Sequence, residues 1–371
     1  MFEPFTLGRA TLSNRIAMAP MTRGYASNGV PGENVAEYYR RRAQGGVGLI
    51  ITEGTWIAHP AASNEASIPD FHGEALRGWR RVVEAVHEAG GRIMPQLWHV
   101  GLIHKKPPEH RRVGETPAQS HHIGPSGISG GVGVPLFDAT APMSLADVDS
   151  VIEAFAAAAR AAMDLGFDGV ALHGAHGYII DQFLWHATNR RTDRYGGSHR
   201  DRATFAAEIV AEIRRRTAPD FPIILRYSQW KLHDYDARLA ENPMELEALL
   251  APIAEAGVDL IDCSQRRFWE PTFAGSDLNL AGWTKRLTGK PTMTVGSVGL
   301  DRDFMSSLFD RDKSAGTTDL VRLVAMFERG DFDLVGVGRA LIVDPEWTRK
   351  VKEDRMDELL PYDSRALEAL I

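Results

Sequence analysis

Short runs of apolar residues recur from one end of the chain to the other, and none alternates strictly between polar and apolar positions over its whole length. This pattern is typical of parallel strands that are covered on both faces. The sequence predicts eight such strands, at Ile16–Pro20, Val47–Thr52, Arg92–Leu97, Gly169–His173, Ile223–Tyr227, Leu260–Ser264, Pro291–Val295 and Leu334–Gly338.

Amphipathic segments with helical spacing lie between the apolar runs. The predicted helices are Asn34–Ala43, Glu74–Ala89, Leu145–Leu165, Arg202–Arg216, Pro243–Ala256 and Leu320–Glu328. The third has the clearest ends, because Ser144 and Asp147 can form a capping box at its start and Gly166 suits a left-handed cap at its end. A glycine likewise separates helix from strand after Ala89 and after Ala256, which indicates a repeated strand–helix unit.

Eight strand–helix units predict an α/β fold, a single (β/α)₈ TIM barrel spanning residues 1–371 as one domain. The alternative is an open doubly wound sheet, which would usually carry a glycine-rich dinucleotide turn that this chain lacks. Two insertions interrupt the barrel pattern. Residues 101–143, after the third strand, are predicted to be a lid with its own hairpin, and residues 299–318 follow the seventh strand. Phe2–Leu12 is predicted to plug the barrel bottom.

Composition narrows the class of protein. The net charge is −7, from 42 basic and 49 acidic residues, which argues against a nucleic-acid partner. The single Cys263 excludes an intrachain disulfide framework and an all-cysteine iron–sulfur cluster. The N-terminus lacks a signal-peptide pattern, and no apolar run reaches the ~18 residues of a membrane helix. We therefore expect a soluble, cytoplasmic protein without a membrane partner.

Functional side chains of a barrel lie at the carboxyl ends of its strands. After strands seven and eight the sequence places Gly296, Ser297, Gly338 and Arg339, whose backbone N–H groups and guanidinium suit a phosphate. The alternative is a pair of tight turns that need glycine only for their geometry. Both turns fall where this fold commonly binds phosphate, which favours a phosphate site.

Three polar or aromatic residues on two other strands face the same barrel mouth. Arg226 lies within an apolar strand, where it suits an electron-rich ligand or, alternatively, an ion pair with Glu53. Gln96 and Trp98 share one strand face, so the amide can serve a ring edge that carries both N–H and C=O, and the indole can form a pocket wall. The alternative for this pair is ordinary packing.

His173, His176 and Tyr178 form the densest polar cluster, at the end of the fourth strand. Two imidazole N–H groups could hold one oxygen atom, and the phenol could deliver a proton. A metal pair is one alternative, but the spacing lacks the glutamate of a zinc-protease motif, and no third ligand is evident. Structural histidines are the other alternative.

These residues resemble the Old Yellow Enzyme family of FMN-dependent ene-reductases over nearly the whole chain. The likeness rests on five stretches, residues 19–23, 51–54, 95–98, 173–184 and 189–198, and on Val337-Gly338-Arg339. It implies one FMN at the barrel mouth. The implied contacts of that FMN are Pro20, Met21, Thr22, Gly54, Gln96 and Arg226 for the ring, and Gly296, Ser297, Gly338 and Arg339 for the phosphate.

The resemblance also implies a ping-pong reaction in which NAD(P)H and an activated alkene share one pocket. In this reading His173 and His176 hold the carbonyl or nitro oxygen, and Tyr178 protonates the α-carbon, while Trp98 and Tyr25 line the substrate pocket. The sequence departs from the family after residue 198, where the usual Glu-Asn-Arg reads His199-Arg200-Asp201-Arg202. We expect that change to be structural.

Several alternatives stay open at this stage. The same pocket could reduce nitroesters, nitroaromatics or quinones, and a flavin electron carrier or sensor would need no proton donor at Tyr178. Basic lid residues could select NADPH through its 2′-phosphate, although a solvated surface patch is the plainer interpretation; they are Lys105, Lys106, Arg111 and Arg112. Length and cysteine count predict no appended iron–sulfur or nucleotide-binding portion. The sequence leaves the oligomeric state open, a homo-oligomer included.

Overall fold

A closed barrel of eight parallel strands forms the centre of the protein, as seen in a computed structural model. The structure describes residues 1–103, 122–131, 134–303 and 314–371. The strands that close the barrel are, in chain order, β3 (Ile16–Met18), β4 (Leu49–Trp56), β5 (Ile93–Trp98), β8 (Val170–His176), β9 (Ile223–Lys231), β10 (Leu260–Ser264), β11 (Thr292–Val295) and β12 (Leu334–Val337). Each corresponds to one predicted run, so the barrel prediction is confirmed and the open sheet is excluded.

Successive strand residues point alternately into the barrel and toward the helices. On β4, Leu49 and Ile51 pack inside the barrel with Met94 and Met293, whereas Ile50 packs in the outer layer. All four of the inward-facing side chains are essentially inaccessible to water. The absence of polar alternation in the sequence has this origin, because both strand faces are buried.

Helices surround the strands, and the predicted ones are all present. The longer helices are α1 (Glu33–Gln44), α2 (Ala75–Glu88), α3 (Leu145–Leu165), α6 (Thr204–Arg216), α7 (Pro243–Glu255), α8 (Leu280–Thr288) and α9 (Val321–Glu328). The capping box of Ser144 and Asp147 forms as expected, and Gly166 takes φ 92° at the other end of α3. The sequence did not predict α8 or four short helices, which are α4 (Ile179–Leu184), α5 (His199–Arg202), α10 (Arg339–Val343) and α11 (Trp347–Lys352).

An N-terminal hairpin closes the bottom of the barrel. Strands β1 (Phe5–Leu7) and β2 (Ala10–Leu12) pair antiparallel, and Leu7 and Leu12 pack against the inward-facing side chains of the barrel. Both leucines are buried. The predicted plug is therefore present, and it leaves the opposite end of the barrel as the open mouth.

The first insertion contributes a second hairpin, formed by β6 (Ile128–Gly131) and β7 (Val134–Asp138). Arg191 fixes the base of this segment, since its guanidinium donates to the carbonyls of Pro125 at 2.9 Å and Met143 at 2.5 Å. The basic residues considered for NADPH selection, Lys105 to Arg112, lie outside the described residues, as do residues 304–313 of the second insertion. Within the described part of the chain, no helix is long and apolar enough to cross a membrane.

Candidate active site

A cavity of about 450 Å³ opens at the carboxyl ends of the barrel strands. It gathers side chains from positions far apart in the sequence, because parallel strands bring their carboxyl ends to one rim. Twelve predicted residues line it: Pro20, Met21, Thr22, Gly54, Gln96, Trp98, His173, His176, Tyr178, Arg226, Gly296 and Ser297. Gly338 and Arg339 line it as well, so every predicted cofactor and catalytic position faces one space.

Tyr25 is the exception among the predicted site residues. It does not line the cavity, and its hydroxyl donates to the carbonyl of Leu367 at 2.9 Å. Leu367 itself lines the cavity, together with Tyr362. Tyr25 therefore holds the C-terminal segment in place beside the cavity mouth. This arrangement does not support the predicted direct contact between Tyr25 and the substrate.

The aromatic cluster has a compact geometry. The phenol ring of Tyr178 lies edge-on to the rings of Trp98 and His173, with both centroid distances at 4.7 Å. His173 lies edge-on to His176 at 5.3 Å. Tyr178 and both imidazoles thus face one space, where they could hold an oxygen atom and reach a neighbouring carbon.

The backbone at the end of β8 creates this cluster. The register between β8 and β9 shifts between Gly174 and His176, and His176 takes φ 66°, a conformation uncommon for a residue with a Cβ. Its backbone N–H donates to Ser228 Oγ at 3.0 Å, and the N–H of Gly177 donates to Asp181 at 2.5 Å. These contacts hold the strained turn, so His173, His176 and Tyr178 all face the cavity.

A buried ion pair supports the same turn from behind. Lys231 Nζ lies 2.7 Å from Asp181 Oδ1, and both side chains are fully buried. Lys231 also donates to the carbonyl of Ser228 at 3.2 Å. Gln182 adds a bond from its amide to the carbonyl of Gly177 at 2.8 Å. Neighbouring residues of α4 thus bind the Gly177 peptide through both its N–H and its carbonyl group.

Burial sets the protonation states of the cluster. Desolvation, and after it the nearby Arg226 guanidinium, hold the pKa of both His173 and His176 well below its usual range. Burial also raises the pKa of Tyr178. At neutral pH the imidazoles are therefore uncharged, each with one N–H to donate, and the phenol keeps its proton.

Arg226 pairs with a different carboxylate from the one considered in the sequence. Its Nε lies 3.6 Å from Asp262 Oδ2 on the adjacent strand, a distance that allows an ion pair but exceeds a hydrogen bond. Glu53 instead accepts the backbone N–H groups of Arg23 at 2.8 Å and Gly24 at 2.9 Å. The predicted alternative of an Arg226–Glu53 ion pair is therefore wrong, because backbone N–H groups of the loop after β3 bind the Glu53 carboxylate instead.

The floor of the cavity combines a close backbone approach with buried donors. A Cβ on Gly54 would lie 2.3 Å from the Trp98 ring, so only glycine fits beneath that indole. The backbone N–H of Gln96 donates to Thr52 Oγ1 at 3.1 Å, and its side chain lines the cavity. Gln96 Nε2 and Arg226 Nε are both buried without a hydrogen-bond partner in the described residues.

The far end of the cavity holds the two glycine turns. Gly296 takes φ 136° and Ser297 takes φ 55°, and Ser297 Oγ donates to the carbonyl of Arg266 at 2.9 Å. A Cβ on Gly296 would lie 2.3 Å from the carbonyl oxygen of Gln265. Arg339 donates to the backbone carbonyls of Arg302 and Asp303, so backbone contacts from the second insertion position its guanidinium.

Sequence reasoning missed several lining residues. Ser264 Oγ lies 2.8 Å from His176 Nε2 and accepts from Arg226 at 3.1 Å. Trp230 stacks on His176 with centroids 4.4 Å apart. Arg266 and Tyr362 line the cavity too. Ser264 ends a predicted strand, so its position could have been found, whereas Trp230 and Tyr362 carried no local signal.

The departure after residue 198 is structural, as expected. Ser198 Oγ caps the short helix α5 by accepting the N–H of Asp201 at 3.2 Å. Arg202 is buried and donates to the carbonyls of Leu184 at 2.8 Å and Gly197 at 2.6 Å. None of these residues lines the cavity.

Known proteins resemble this chain along almost its entire length. Residues 1–358 match the model of the NADH:flavin oxidoreductase / NADH oxidase family. The NADH oxidase of Thermoanaerobacter brockii is 32% identical over 97% of this chain and 52% of its own length, so the chain spans about half of that relative. The chanoclavine-I aldehyde reductase of Penicillium roqueforti is 32% identical over 98% of this chain and 91% of its own length.

A solved structure also resembles this chain along almost its entire length. Morphinone reductase in complex with tetrahydroNAD matches with a TM-score of 0.77 and 26% identity, covering 99% of this chain and 93% of that one. The 12-oxophytodienoate reductase 2 of Arabidopsis thaliana is 35% identical over 59% of this chain and 59% of its own length.

A flavin family implies FMN, and the cavity fits it. The unpartnered buried donors Gln96 Nε2 and Arg226 Nε suit the acceptor atoms of a flavin ring, its C=O oxygens and unprotonated ring nitrogens. Gly54 lines the cavity and lets Trp98 pack against the backbone, and the two glycine turns offer a phosphate cradle beside Arg339. FMN is therefore the cofactor of this cavity, and the chain belongs to the NADH:flavin oxidoreductase / NADH oxidase family, that is, to the Old Yellow Enzymes.

Proposed function

We propose that this protein is an ene-reductase that uses NAD(P)H and FMN to reduce activated alkenes, such as cyclic enones, maleimides or nitroalkenes. One observation carries the proposal. A protonated phenol, Tyr178, lies 4.7 Å by ring centroids from the neutral imidazole of His173, in the cavity that suits the flavin. An electron carrier would not need a proton donor beside two oxygen-binding groups.

FMN, when bound, supplies the redox chemistry: it accepts a hydride from NAD(P)H and gives it to the alkene β-carbon. Gln96, Arg226 and Thr22 would hold the ring by hydrogen bonds, since all three line the cavity. Arg339 and the N–H groups of Gly296 and Ser297 would hold the phosphate. Pro20, Met21 and Gly338 would pack along the cofactor, since they line the same cavity.

His173 and His176 would bind the carbonyl or nitro oxygen of the substrate. Each imidazole is neutral and therefore has one N–H group that can donate a hydrogen bond to that oxygen. Negative charge develops on that oxygen as the β-carbon receives hydride, so hydrogen bonds to the oxygen strengthen in the transition state. Trp98 would form the wall against which the substrate lies, because its ring packs beside both His173 and Tyr178.

Tyr178 would complete the reaction by protonating the α-carbon. Burial raises the pKa of its phenol, which keeps the proton in place until a strongly basic carbon forms nearby. Both half-reactions use one pocket, so NAD(P)H must leave before the alkene binds. Relatives named as reductases of chanoclavine-I aldehyde and 12-oxophytodienoate support this assignment.

Anaerobic rapid mixing tests the proposal in two steps. The FMN-loaded protein is first reduced with NADPH or NADH and then mixed with cyclohexenone or a maleimide, while flavin absorbance is followed. Loss of colour and its rapid return with the alkene would support an ene-reductase. Return only with a quinone or nitro compound would overturn alkene chemistry in favour of the alternative acceptors. Return with one-electron acceptors alone would indicate a carrier.

A further inference from the structure

We propose that Arg266 forms an anion-binding subsite at the outer end of the active-site cavity. It would bind the phosphate or carboxylate of the molecule whose reactive end meets His173 and His176. That anion has two sources, the diphosphate of NAD(P)H or an acidic group on the alkene substrate. The inference rests on the proposed function and adds the chemical class of ligand that the pocket takes.

A continuous wall of rings leads from the catalytic histidine to Arg266. Trp230 stacks on His176 at 4.4 Å between ring centroids, and Tyr235 lies 5.7 Å from Trp230. The guanidinium carbon of Arg266 lies 5.5 Å from the centre of the Tyr235 ring. A molecule held at its oxygen by His176 and lying against this wall would therefore reach a guanidinium at its other end.

Arg266 joins two spaces. It lines the main cavity, and it also lines an adjoining recess of about 140 Å³, which shares Trp230, Ser264 and Gln265 with the cavity. The recess adds a second guanidinium, that of Arg238, and the carboxylates of Asp236 and Glu270. A long ligand could thus extend from the flavin into the recess and pass Arg266 on the way.

The charge of Arg266 is available for a ligand. In the part of the chain that the structure describes, no carboxylate forms an ion pair with Arg266, and its guanidinium lies over the Tyr235 ring. The next residue, Arg267, differs sharply: Glu270 and Asp303 each lie 2.8 Å from its guanidinium. The pairing with Arg267 also neutralises Glu270, which would otherwise repel an anion in the recess.

The main chain of Arg266 is fixed, which limits where its side chain can go. Its carbonyl accepts from Ser297 Oγ at 2.9 Å, and the preceding residue packs against Gly296. The guanidinium is a planar fork that pairs with phosphate or carboxylate through two hydrogen bonds. A fixed main chain, together with a guanidinium that lies over the Tyr235 ring and has no carboxylate partner among the described residues, makes a site for an anion.

The test compares Arg266→Gln with Arg286→Gln in the FMN-loaded protein. Arg286 is exposed on α8 outside the cavity, so its replacement removes the same charge without touching the subsite. For the nucleotide source, the probes are NADPH, NADH and 1-benzyl-1,4-dihydronicotinamide, which carries the same hydride without a diphosphate. We expect Arg266→Gln to weaken binding of the nucleotides about ten- to hundredfold and to leave the benzyl compound unaffected.

For the substrate source, the probes are 6-maleimidohexanoate and its methyl ester. A loss of affinity confined to the free acid would support the subsite with the substrate as its ligand. Equal affinities of wild type and variant for every probe would overturn the proposal. So would loss of FMN from Arg266→Gln, because Arg266 would then be a contact of the cofactor phosphate.

Failure of the proposed function would look different. If no alkene reoxidises the flavin, the ene-reductase assignment falls, yet a selective effect of Arg266→Gln on NADPH would still establish the anion subsite. If alkenes are reduced normally and no probe distinguishes the variants, the subsite alone is wrong.

Discussion

Burial at Tyr178 protects one proton and positions it. The phenol ring is held between Trp98 and His173, both at 4.7 Å, and the chain before it is fixed by Gly177 and Asp181. Burial raises the pKa of the phenol, so the hydroxyl keeps its proton at neutral pH. A positioned acid of this kind typically contributes about 10²–10⁴-fold to a rate.

We therefore expect Tyr178→Phe to slow alkene reduction about 10²–10⁴-fold and to change flavin reduction by NADPH little. The ring and its packing are retained, so folding should be unaffected. Rapid mixing measures the two half-reactions separately. Equal slowing of both would rule out a general-acid role. Tyr195→Phe is the matched control, because the Tyr195 hydroxyl donates to Glu208 at 2.7 Å and the residue does not line the cavity.

Glu53 shows burial acting on a carboxylate that takes no part in the reaction. Desolvation raises its pKa from 4.5 to about 7, against the opposing effect of the Gly24 and Arg23 amides. A folded-state pKa above the unfolded value means that the protonated form contributes stability at low pH. That contribution is complete below pH 4.5 and is lost as the pH rises to about 7.

Glu53→Gln should remove this dependence. Relative to the variant, the wild type should lose unfolding free energy between pH 4.5 and 7, by about 3 kcal/mol at most. Chemical denaturation at a series of pH values measures it. Glu37→Gln is the control, because Arg40 and Arg41 lower the pKa of Glu37 to about 2 and its contribution changes only below that window. Parallel curves for wild type and Glu53→Gln would disprove the linkage.

At the scale of elements, the buried pair of Lys231 and Asp181 ties the end of β9 to helix α4. His176 and Gly177 lie between them in space and form the strained turn that presents the proposed catalytic side chains. Asp181 binds the Gly177 N–H and the Lys231 ammonium at once, so the turn depends on both partners. Desolvation raises the pKa of Asp181 to about 6, opposed by the contact with Lys231.

Lys231→Met should therefore destabilise the fold by about 3–5 kcal/mol, because it leaves Asp181 buried without its cation. Lys285→Met is the control. It breaks a partly exposed pair with Asp333, with a 3.0 Å separation, and should cost less than about 1 kcal/mol. Denaturant titration of both variants measures the loss in free energy of unfolding. Similar losses for the two variants would mean that the buried pair does not stabilise the turn more than an exposed pair would.

On the scale of the whole molecule, the hairpin that stabilises the barrel and the cavity that would carry the chemistry lie at opposite ends. The N-terminal hairpin closes the bottom with Leu7 and Leu12, and the cavity opens at the other end, between the glycine turns and the C-terminal segment. The two ends share the inward-facing strand residues but no side chain of the hairpin lines the cavity. Damage to the plug should thus lower stability without altering the site.

Leu12→Ala should cost about 2–5 kcal/mol, because its side chain is fully buried among the barrel residues. The flavin spectrum and the rate of flavin reduction should remain those of the wild type at low temperature. Leu145→Ala is the control, since that leucine is 55% exposed and should matter little. Loss of FMN from Leu12→Ala would show that the two ends are coupled.

Local sequence determined the strands, the principal helices and the rim on which the chemistry lies. Periodicity and caps are short-range effects, which is why Ser144, Asp147 and Gly166 could be read directly as helix ends. Strand ends carry the functional residues of a barrel, so His173, Gln96 and Arg226 followed from their positions alone.

The tertiary structure decided which side chains pair with each other and which residues line the cavity. Glu53 binds Arg23 and Gly24 rather than Arg226, and Asp262 takes the place of Glu53 beside that guanidinium. Trp230 lines the cavity because β9 extends beyond the predicted run, and Tyr362 and Leu367 line it because the C-terminal segment folds over the mouth. These contacts join residues far apart in the chain, and their formation depends on barrel closure, so no local pattern in the sequence could have specified them.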